Sequence, residues 1–507
     1  MSSDPLLGTR LAISEPVTTE ATATTPAARK RRRGLVERYV DSVAGRVGAG
    51  SGLYKALRKV FPHHFSFLWG EIALYCFVVL LVTGTYLTFF FEGTQQTTVY
   101  TGSYEPLQGV EVSGAYESVL RISYDVKGGI VIRQMHHWAA LIFVGAIALH
   151  MARIFFTGAF RRPREINWVV GVLMLLLALA AGFTGYSLPD DLLSGTGLRI
   201  TYSIILAIPL IGEGLVYLIF GGDWPGTDII GRLYPVHILL IPAAIVALLA
   251  VHLMLVWRQK HTQFTQRGAT ERNVVGERIW PTFAMKSVGL MFLVAGVIAA
   301  MGGIFEVNPV WLFGPYDIGA ATSYSQPDWY IGFLEGSLRL FPPWETRAFG
   351  YMINNIVYSG VIIPGIIFSG LLMVPWIERR FTRRKDDVDR EYHLLERPRD
   401  NPHRTAAGAA AIAFVTVLFL GGSQDVIAEL LTVSIGHVTA ALQFACILVP
   451  PITYFVSYRL CVALRSREGP ERTERAGVVA RDSSGGYHSV DETALDEDRV
   501  PAGTGGE

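Results

Sequence analysis

Long apolar runs broken by short polar segments dominate the chain. Eight of them are long enough to consider as bilayer crossings: Gly70–Phe91, Val131–Met151, Trp168–Tyr186, Leu233–Trp257, Phe283–Ile304, Tyr351–Trp376, Ala406–Leu420 and Ser434–Tyr458. A helix needs about 20 apolar residues to cross the hydrocarbon, so the seventh run is the marginal one. Core helices of soluble domains are neither so long nor so uniformly apolar. The predicted fold class is an all-α integral membrane protein with eight transmembrane helices, the first four forming a four-helix bundle. Two connecting segments, Ser187–Arg232 and Glu306–Gly350, are long. The apolar stretches Ile204–Ile211 and Leu215–Phe220 are too short to span and are expected to lie along the interface or cover a site.

Composition agrees. Of 507 residues, 50% are hydrophobic and 17% charged, against roughly 25% charged in soluble domains. A net charge of +1 gives a nucleic-acid partner no electrostatic basis. Cys76, Cys446 and Cys461 are scattered, without the CxxC spacing of a zinc ribbon, a thiolate iron–sulfur cluster or covalent haem attachment, and they make no disulfide framework. Basic residues orient the chain. Eleven Lys and Arg precede the first run, nine lie between the sixth and seventh, and seven follow the eighth, whereas none lies between the seventh and eighth. By the positive-inside rule both termini are expected in the cytoplasm, with the protein multi-pass in the cell membrane.

No apolar signal-peptide region precedes the first run. Met1–Ala28 reads as disordered, Arg29–Arg33 as a membrane-surface anchor for lipid headgroups, and the tail after Arg459 as disordered. The expected organisation is an N-terminal extension with a surface segment (1–68), the four-helix bundle (69–257), the fifth and sixth spans with their outer loop (258–376), a cytoplasmic loop with the last two spans (377–458), and a cytoplasmic tail (459–507). No short-period repeat is present.

Four histidines stand inside the predicted membrane region: His136 and His150 on the second span, His237 and His252 on the fourth. Ionisable side chains there are expensive and mark functional sites. At about 100° per residue, 14 residues bring His150 to within about 40° of His136, and 15 bring His252 to within about 60° of His237. His137 would be offset from His150 by about 140°, so His136 is the expected ligand. Both spans run from outside to inside, which pairs the first histidines at an outer level and the second about 21 Å deeper. Two opposed imidazole pairs suit two stacked bis-histidine b-type haems held non-covalently. The alternative is plain interhelical hydrogen bonding. Gly70 and Gly84 on the first span, and Gly171 and Gly185 on the third, repeat the 14-residue step. Positions without a side chain let a flat macrocycle approach the backbone, although close helix packing uses glycine too. Arg133 and Arg153, three residues from His136 and His150, are placed to pair with haem propionates; Arg153 also fits a simple inside anchor.

Together, Arg133-Gln-Met-His136, His150-Met-Ala-Arg153, Thr157-Gly-Ala-Phe160-Arg-Arg-Pro163-Arg-Glu165, Gly185-Tyr186-Ser-Leu-Pro189, His237, His252 and Pro327-Asp328-Trp329-Tyr330 resemble the cytochrome b family, the membrane subunit of quinol–cytochrome c reductases and their plastid b6f relatives. The resemblance runs from about Val60 to Trp376. The 15-residue step on the fourth span is like the b6f branch. The single eight-span chain, the Leu188-Pro189-Asp190-Asp191 variant and the long termini resemble the actinobacterial menaquinol–cytochrome c reductase subunit.

The resemblance implies quinol oxidation at an outer site, with one electron passing to a Rieske iron–sulfur subunit and a c-type cytochrome. The other crosses the two haems to an inner quinone, and protons leave outside. It also implies a homodimer, an association with a terminal oxidase, and menaquinone as the substrate. Asp328, Tyr330 and Glu335 are the expected catalytic groups, and Gly197, Pro327, Asp328, Trp329 and Tyr330 the quinol-binding ones. Asp328 is shorter than the family's usual glutamate, and Thr196 replaces the usual tryptophan before Gly197. Glu335 reads equally as a second proton acceptor or a solvated carboxylate. At the inner quinone site Trp257 takes the place of a family histidine, and Arg258, Lys260, His261 and Glu277 are undifferentiated candidates. The charged Glu378–Arg404 loop reads as a solvated or partner-facing surface. Two other readings stay open: a dihaem membrane anchor of a dehydrogenase or hydrogenase without bifurcation, and a haem-free transporter or scaffold.

Overall fold

The computed structural model describes residues 56–467 except 227, 321–325, 349 and 383–390, together with 42, 46, 478–481 and 487–490. Two compact units divide the chain, Met1–Leu57 and Arg58–Glu507. Met1–Ala28 and Arg29–Arg33 lie outside the described residues. The second unit carries every element below.

Eight helices are long and apolar enough to cross a membrane: α1 (Phe65–Thr88), α2 (Gly129–Phe156), α3 (Glu165–Ser187), α4 (Ile229–Gln259), α5 (Ile279–Ile304), α6 (Asn355–Phe381), α7 (Pro402–Gly422) and α8 (Ile435–Arg467). Each covers one predicted run. The marginal seventh reaches 21 residues because Asn401 accepts from the Arg404 N–H as an N-cap and Pro402 opens the first turn. The sixth starts later than predicted, since Tyr351–Ile353 pairs with Thr346–Ala348 as a small hairpin. The eighth runs to Arg467, and Val478–Arg481 pairs antiparallel with Tyr487–Val490. Of the tail after Arg459, the described residues are the end of this helix and these two strands.

α1 lies against α2, α3 against α4, and α5 covers α1 and α2; α7 pairs with α8. A short outer helix, Gly332–Leu340, is pressed onto α7 so closely that a Cβ on Gly336 would stand 1.6 Å from the Leu418 carbonyl oxygen. Small residues permit that approach, as they do between membrane helices generally. Of the apolar stretches between α3 and α4, Leu215–Phe220 lies in a short helix, Gly212–Phe220, whereas Ile204–Ile211 ends the helix Leu192–Leu206 and forms the turn that follows it.

The waist of the first four helices is apolar. Ala73, Phe77, Ala139, Phe143, Ala178 and Ile245 are buried there, and Phe77 stacks on Phe143 with ring centroids 5.6 Å apart. Phe143 is midway in sequence between His136 and His150, and Phe77 midway between Gly70 and Gly84. The bundle thus has an outer and an inner polar level separated by a dry layer.

The Glu378–Arg404 segment departs from its expected solvated character. Leu394–Leu395 pairs with Gln263–Phe264, and His393 and Arg404 are buried. Arg404 donates to Glu378 at 2.8 Å and to Glu396, which also holds Arg161. Arg164 donates to the Tyr392 carbonyl at 2.7 Å. Arg161 and Arg164 reach the segment across more than 200 residues of sequence, so its residues around His393, Glu396 and Arg404 are folded inward. Residues 383–390 lie outside the described ones.

Candidate functional site

α2 and α4 bring the four histidines into two pairs. His136 faces His237 with ring centroids 6.3 Å apart and planes at 75°; His150 faces His252 at 6.4 Å and 71°. Metal–imidazole bonds are about 2.0–2.1 Å, and ring centres lie roughly an ångström behind the nitrogen, so two imidazoles on one metal ion have centroids about 6 Å apart. Both pairs meet that spacing. Among the described residues no cluster of three His, Cys, Asp or Glu could hold a metal ion, so the arrangement is of pairs rather than cages.

The 15-residue step on α4 is absorbed locally. Val236–Leu240 is a π-helical turn, which accommodates one extra residue. Its cause is legible: Pro242 has no N–H for the carbonyl of Ile238. With that residue absorbed, α4 presents its imidazoles as the 14-residue step of α2 does.

Hydrogen bonds set the outer tautomers. Thr83 donates to the Val79 carbonyl at 2.7 Å, so its oxygen accepts from His136 Nδ1 at 2.9 Å. His237 Nδ1 donates to the Ala181 carbonyl at 3.0 Å and meets Thr184 at 3.1 Å. Each Nε2 is then the nitrogen left free to bind a metal ion. Gly84 and Gly185 are required: a Cβ would stand 3.0 Å from His136 Cε1 and 2.5 Å from His237 Cε1. Gly70 does the same for His150 at 3.0 Å, whereas a Cβ on Gly171 would meet no protein atom within 4 Å.

Orphaned donors supply a further test of fit for a haem. Arg133 Nε, Arg153 Nε and Arg153 Nη2 are buried without a partner, as are His150 Nδ1 and His252 Nδ1. The remaining contacts of the guanidiniums are weak: Arg133 reaches the Asn308 carbonyl at 3.4 Å, and Arg153 lies over Phe67 at 4.2 Å. Buried guanidinium donors without acceptors are costly, and a carboxylated ligand at each level would satisfy them.

A cavity of about 450 Å³ contains the outer pair together with Gly84, Gly185, Arg133, Tyr186, Asp191, Asn308, Asp328 and Tyr330. That size is ordinary for a small-molecule site. Asp328 is nearly enclosed. Its Oδ1 lies 2.9 Å from His137 Nε2, and its Oδ2 accepts from the Tyr330 hydroxyl at 2.9 Å. Tyr330 lies against Gly182, where a Cβ would come within 2.4 Å of its hydroxyl. Burial, then the Asp328 charge, push the Tyr330 phenol far up, so it acts as a donor.

Other expected residues stand around this cavity. Gly197 packs against the Tyr186 ring, which lines it. Pro327 precedes Asp328 outside the lining, and Trp329 is turned outward, 43% exposed. Glu335 is also outside the lining: it is buried on Gly332–Leu340 and accepts from Arg339, which also holds Asp425 at 3.1 Å. Burial pushes Glu335 up to about 7 against the pull of Arg339. The departure at Asp190-Asp191 is a helix start. Asp191 accepts from the Ser194 N–H at 3.2 Å, and Ser194 Oγ returns the bond, a capping box readable from Asp-x-x-Ser.

At the inner level, Glu277 is paired with Lys286 at 2.7 Å. Lys59 lies over the Trp257 ring at 4.0 Å, and Lys260 donates to the Arg272 carbonyl. His261 alone of the candidates has a buried, unpartnered ring nitrogen, with Phe61 4.0 Å away. Burial, then Lys59, Arg164 and Arg153, push it down to about 4. His137, Thr83, Thr184, Tyr186 and Asn308 were missed as site residues in the sequence. Only the two Thr-Gly pairs, each 53 residues before its histidine, offered a signal.

Residues 141–315 match the family Cytochrome b(N-terminal)/b6/petB. The cytochrome bc1 complex cytochrome b subunit of Mycobacterium tuberculosis (strain CDC 1551 / Oshkosh) is 49% identical over 457 residues, 89% of this chain and 82% of that one. The Streptomyces coelicolor subunit of the same name is 43% identical over 463 residues, 91% of this chain and 84% of that one. A solved chain of a hyperthermophilic respiratory Complex III shares the fold, with a TM-score of 0.60 at 20% identity, covering 83% of this chain and 99% of that one. With relatives this similar over more than four-fifths of their length, and with opposed imidazoles where a b-type haem would sit, the chain belongs to the cytochrome b subunits of cytochrome bc1 complexes, haem proteins of respiratory electron transport.

Proposed function

We propose that this chain is the dihaem subunit of a menaquinol–cytochrome c reductase, which oxidises quinol in the outer cavity with bifurcated electron transfer, reduces quinone on the inner side and releases protons outside. The observation that carries this reading is that one cavity holds both the outer imidazole pair and the Asp328–Tyr330 carboxylate–phenol pair.

His136 and His237 hold the outer haem, His150 and His252 the inner one, and Arg133 and Arg153 pair with their carboxylates. When bound, the two haems supply one-electron transfer across the membrane. Gly70, Gly84 and Gly185 leave room for the imidazoles, and Gly171 leaves space open beside the inner pair. Asp328 takes a proton from the quinol hydroxyl, while Tyr330 holds its second oxygen. Gly197 and Tyr186 shape the pocket wall, and Pro327 and Trp329 frame the acid. Glu335, with one oxygen unpartnered, is a second carboxyl able to hold a proton on its way out. The Rieske subunit and the c-type cytochrome accept the other electron. Homodimerisation, association with a terminal oxidase and cytoplasmic termini complete the reading, supported by the resemblance and the distribution of basic residues.

Oxidant-induced reduction tests it. With quinol present and the inner site blocked, adding oxidised cytochrome c to the complex should transiently reduce a b-type haem, because the second electron has no other exit. Simple oxidation of both haems on adding the oxidant would contradict bifurcation and favour a plain electron-relaying anchor.

A further inference from the structure

Asp328 is one methylene shorter than a glutamate, and three donors converge on it: His137 and Tyr330 at 2.9 Å, and Asn308 Nδ2 at 3.5 Å. A carboxylate only accepts, so with Asp328 ionised the proton between the first pair is on His137 Nε2. His137 and Asp328 are 16% and 8% exposed in their side chains, so water competes little for this bond.

The bond belongs to a wider grip. On one face of α2, Gln134 exchanges two hydrogen bonds with Val307, at 3.1 and 2.8 Å, and Trp138 donates to the Phe305 carbonyl at 2.8 Å. His137 completes that face, which is rotated about 100° from His136. The same helix therefore carries the outer imidazole on one face and clamps the acid-bearing loop on the next.

We propose that His137 is a positioning residue for quinol oxidation: its Nε2–H fixes the Asp328 carboxylate at the outer cavity, in register with the helix that carries His136. This rests on the reading that Asp328 receives the quinol proton. Without the bond, Oδ1 keeps only the long Asn308 contact while Tyr330 holds Oδ2, and the encounter of the carboxylate with the quinol hydroxyl loses the orientation that positioned proton acceptors require.

Four variants of the intact complex test it, with turnover of a short-chain naphthoquinol and the reduced-minus-oxidised haem spectrum as readouts. His137→Gln keeps an amide donor at the reach of Nε2, His137→Asn is one carbon too short, and His137→Leu has no donor. Losing one hydrogen bond to a charged group predicts about a tenfold or larger fall in kcat for Asn and Leu, with KM within about twofold. Both haem signals stay unchanged, and Gln is restored to within about twofold of wild type. If Leu disturbs the haem spectrum, the Asn and Gln pair decides alone. Wild-type turnover in His137→Asn beside a slow Asp328→Asn would overturn the proposal. So would a His137→Gln as slow as His137→Asn. Wild-type turnover in Asp328→Asn would instead remove the role given to Asp328 above.

Discussion

Thr83 and Thr184 each give their single hydroxyl proton to a carbonyl one turn back, at 2.7 and 2.8 Å, and so must accept from the imidazole beside them. The consequences differ. His237 Nδ1 keeps the Ala181 carbonyl at 3.0 Å if Thr184 is lost, whereas His136 Nδ1 is held by Thr83 at 2.9 Å with the Leu80 carbonyl as its weaker backbone partner. Partners of metal-bound histidines typically contribute about 10–100-fold to affinity. Thr83→Val is expected to reduce retention of the outer haem about tenfold, with Thr184→Val milder, measured by haem-to-protein ratio after purification. Glu335 gives a pH signature. Its folded pKa is raised to about 7 by burial, so the protonated form is favoured below that value and lost as pH rises through it. Infrared spectroscopy should show a protonated carboxyl fading across that range and absent in Glu335→Gln. Persistence of the band in Glu335→Gln would assign it elsewhere. Spacing along two spans made the four histidines and two arginines readable in the sequence. The threonines left only the faint signal of two Thr-Gly pairs at a shared 53-residue offset, and His137 left none, because its partner is 191 residues away and only the folded bundle sets that distance.

At the scale of elements, the π-turn in α4 reconciles a 15-residue step with the 14-residue step facing it. Deleting Leu239, inside that turn, shortens the step between the α4 histidines to the 14 residues of α2 and should retain both haems. Inserting one alanine there should swing His237 about 100° relative to His252 and lose the outer haem signal. Equal spectra in the two variants would show that the turn does not set the pairing. Gly185→Ala should disturb the outer site more than Gly84→Ala, since its Cβ would be 2.5 rather than 3.0 Å from the imidazole. A haem-to-protein ratio checks the order. Span positions were legible from hydropathy alone, because a bilayer demands about 20 apolar residues whatever the tertiary contacts. The Glu378–Arg404 segment was misread for the opposite reason. A run of charges looks solvated until Arg161 and Arg164 are brought against it.

For the whole molecule, eight crossings and a strong bias of basic residues predict that both ends of the chain face the cytoplasm. Fluorescent-protein fusion to the C-terminus should fluoresce and a periplasmic phosphatase fusion at the same point should be inactive; the reverse would invert the topology and exchange the outer and inner sites. On the proposed dihaem reading, the bundle's two polar levels, with the apolar layer of Phe77, Phe143 and Ala178 between them, hold two separable redox centres. A potentiometric titration of the reduced-minus-oxidised spectrum, comparing wild-type membranes with His136→Ala and His150→Ala, tests that most directly. Two b-type signals at distinct potentials are expected, the outer one lost in His136→Ala and the inner one in His150→Ala. A single signal in wild type, or the same signal lost in both variants, would contradict it.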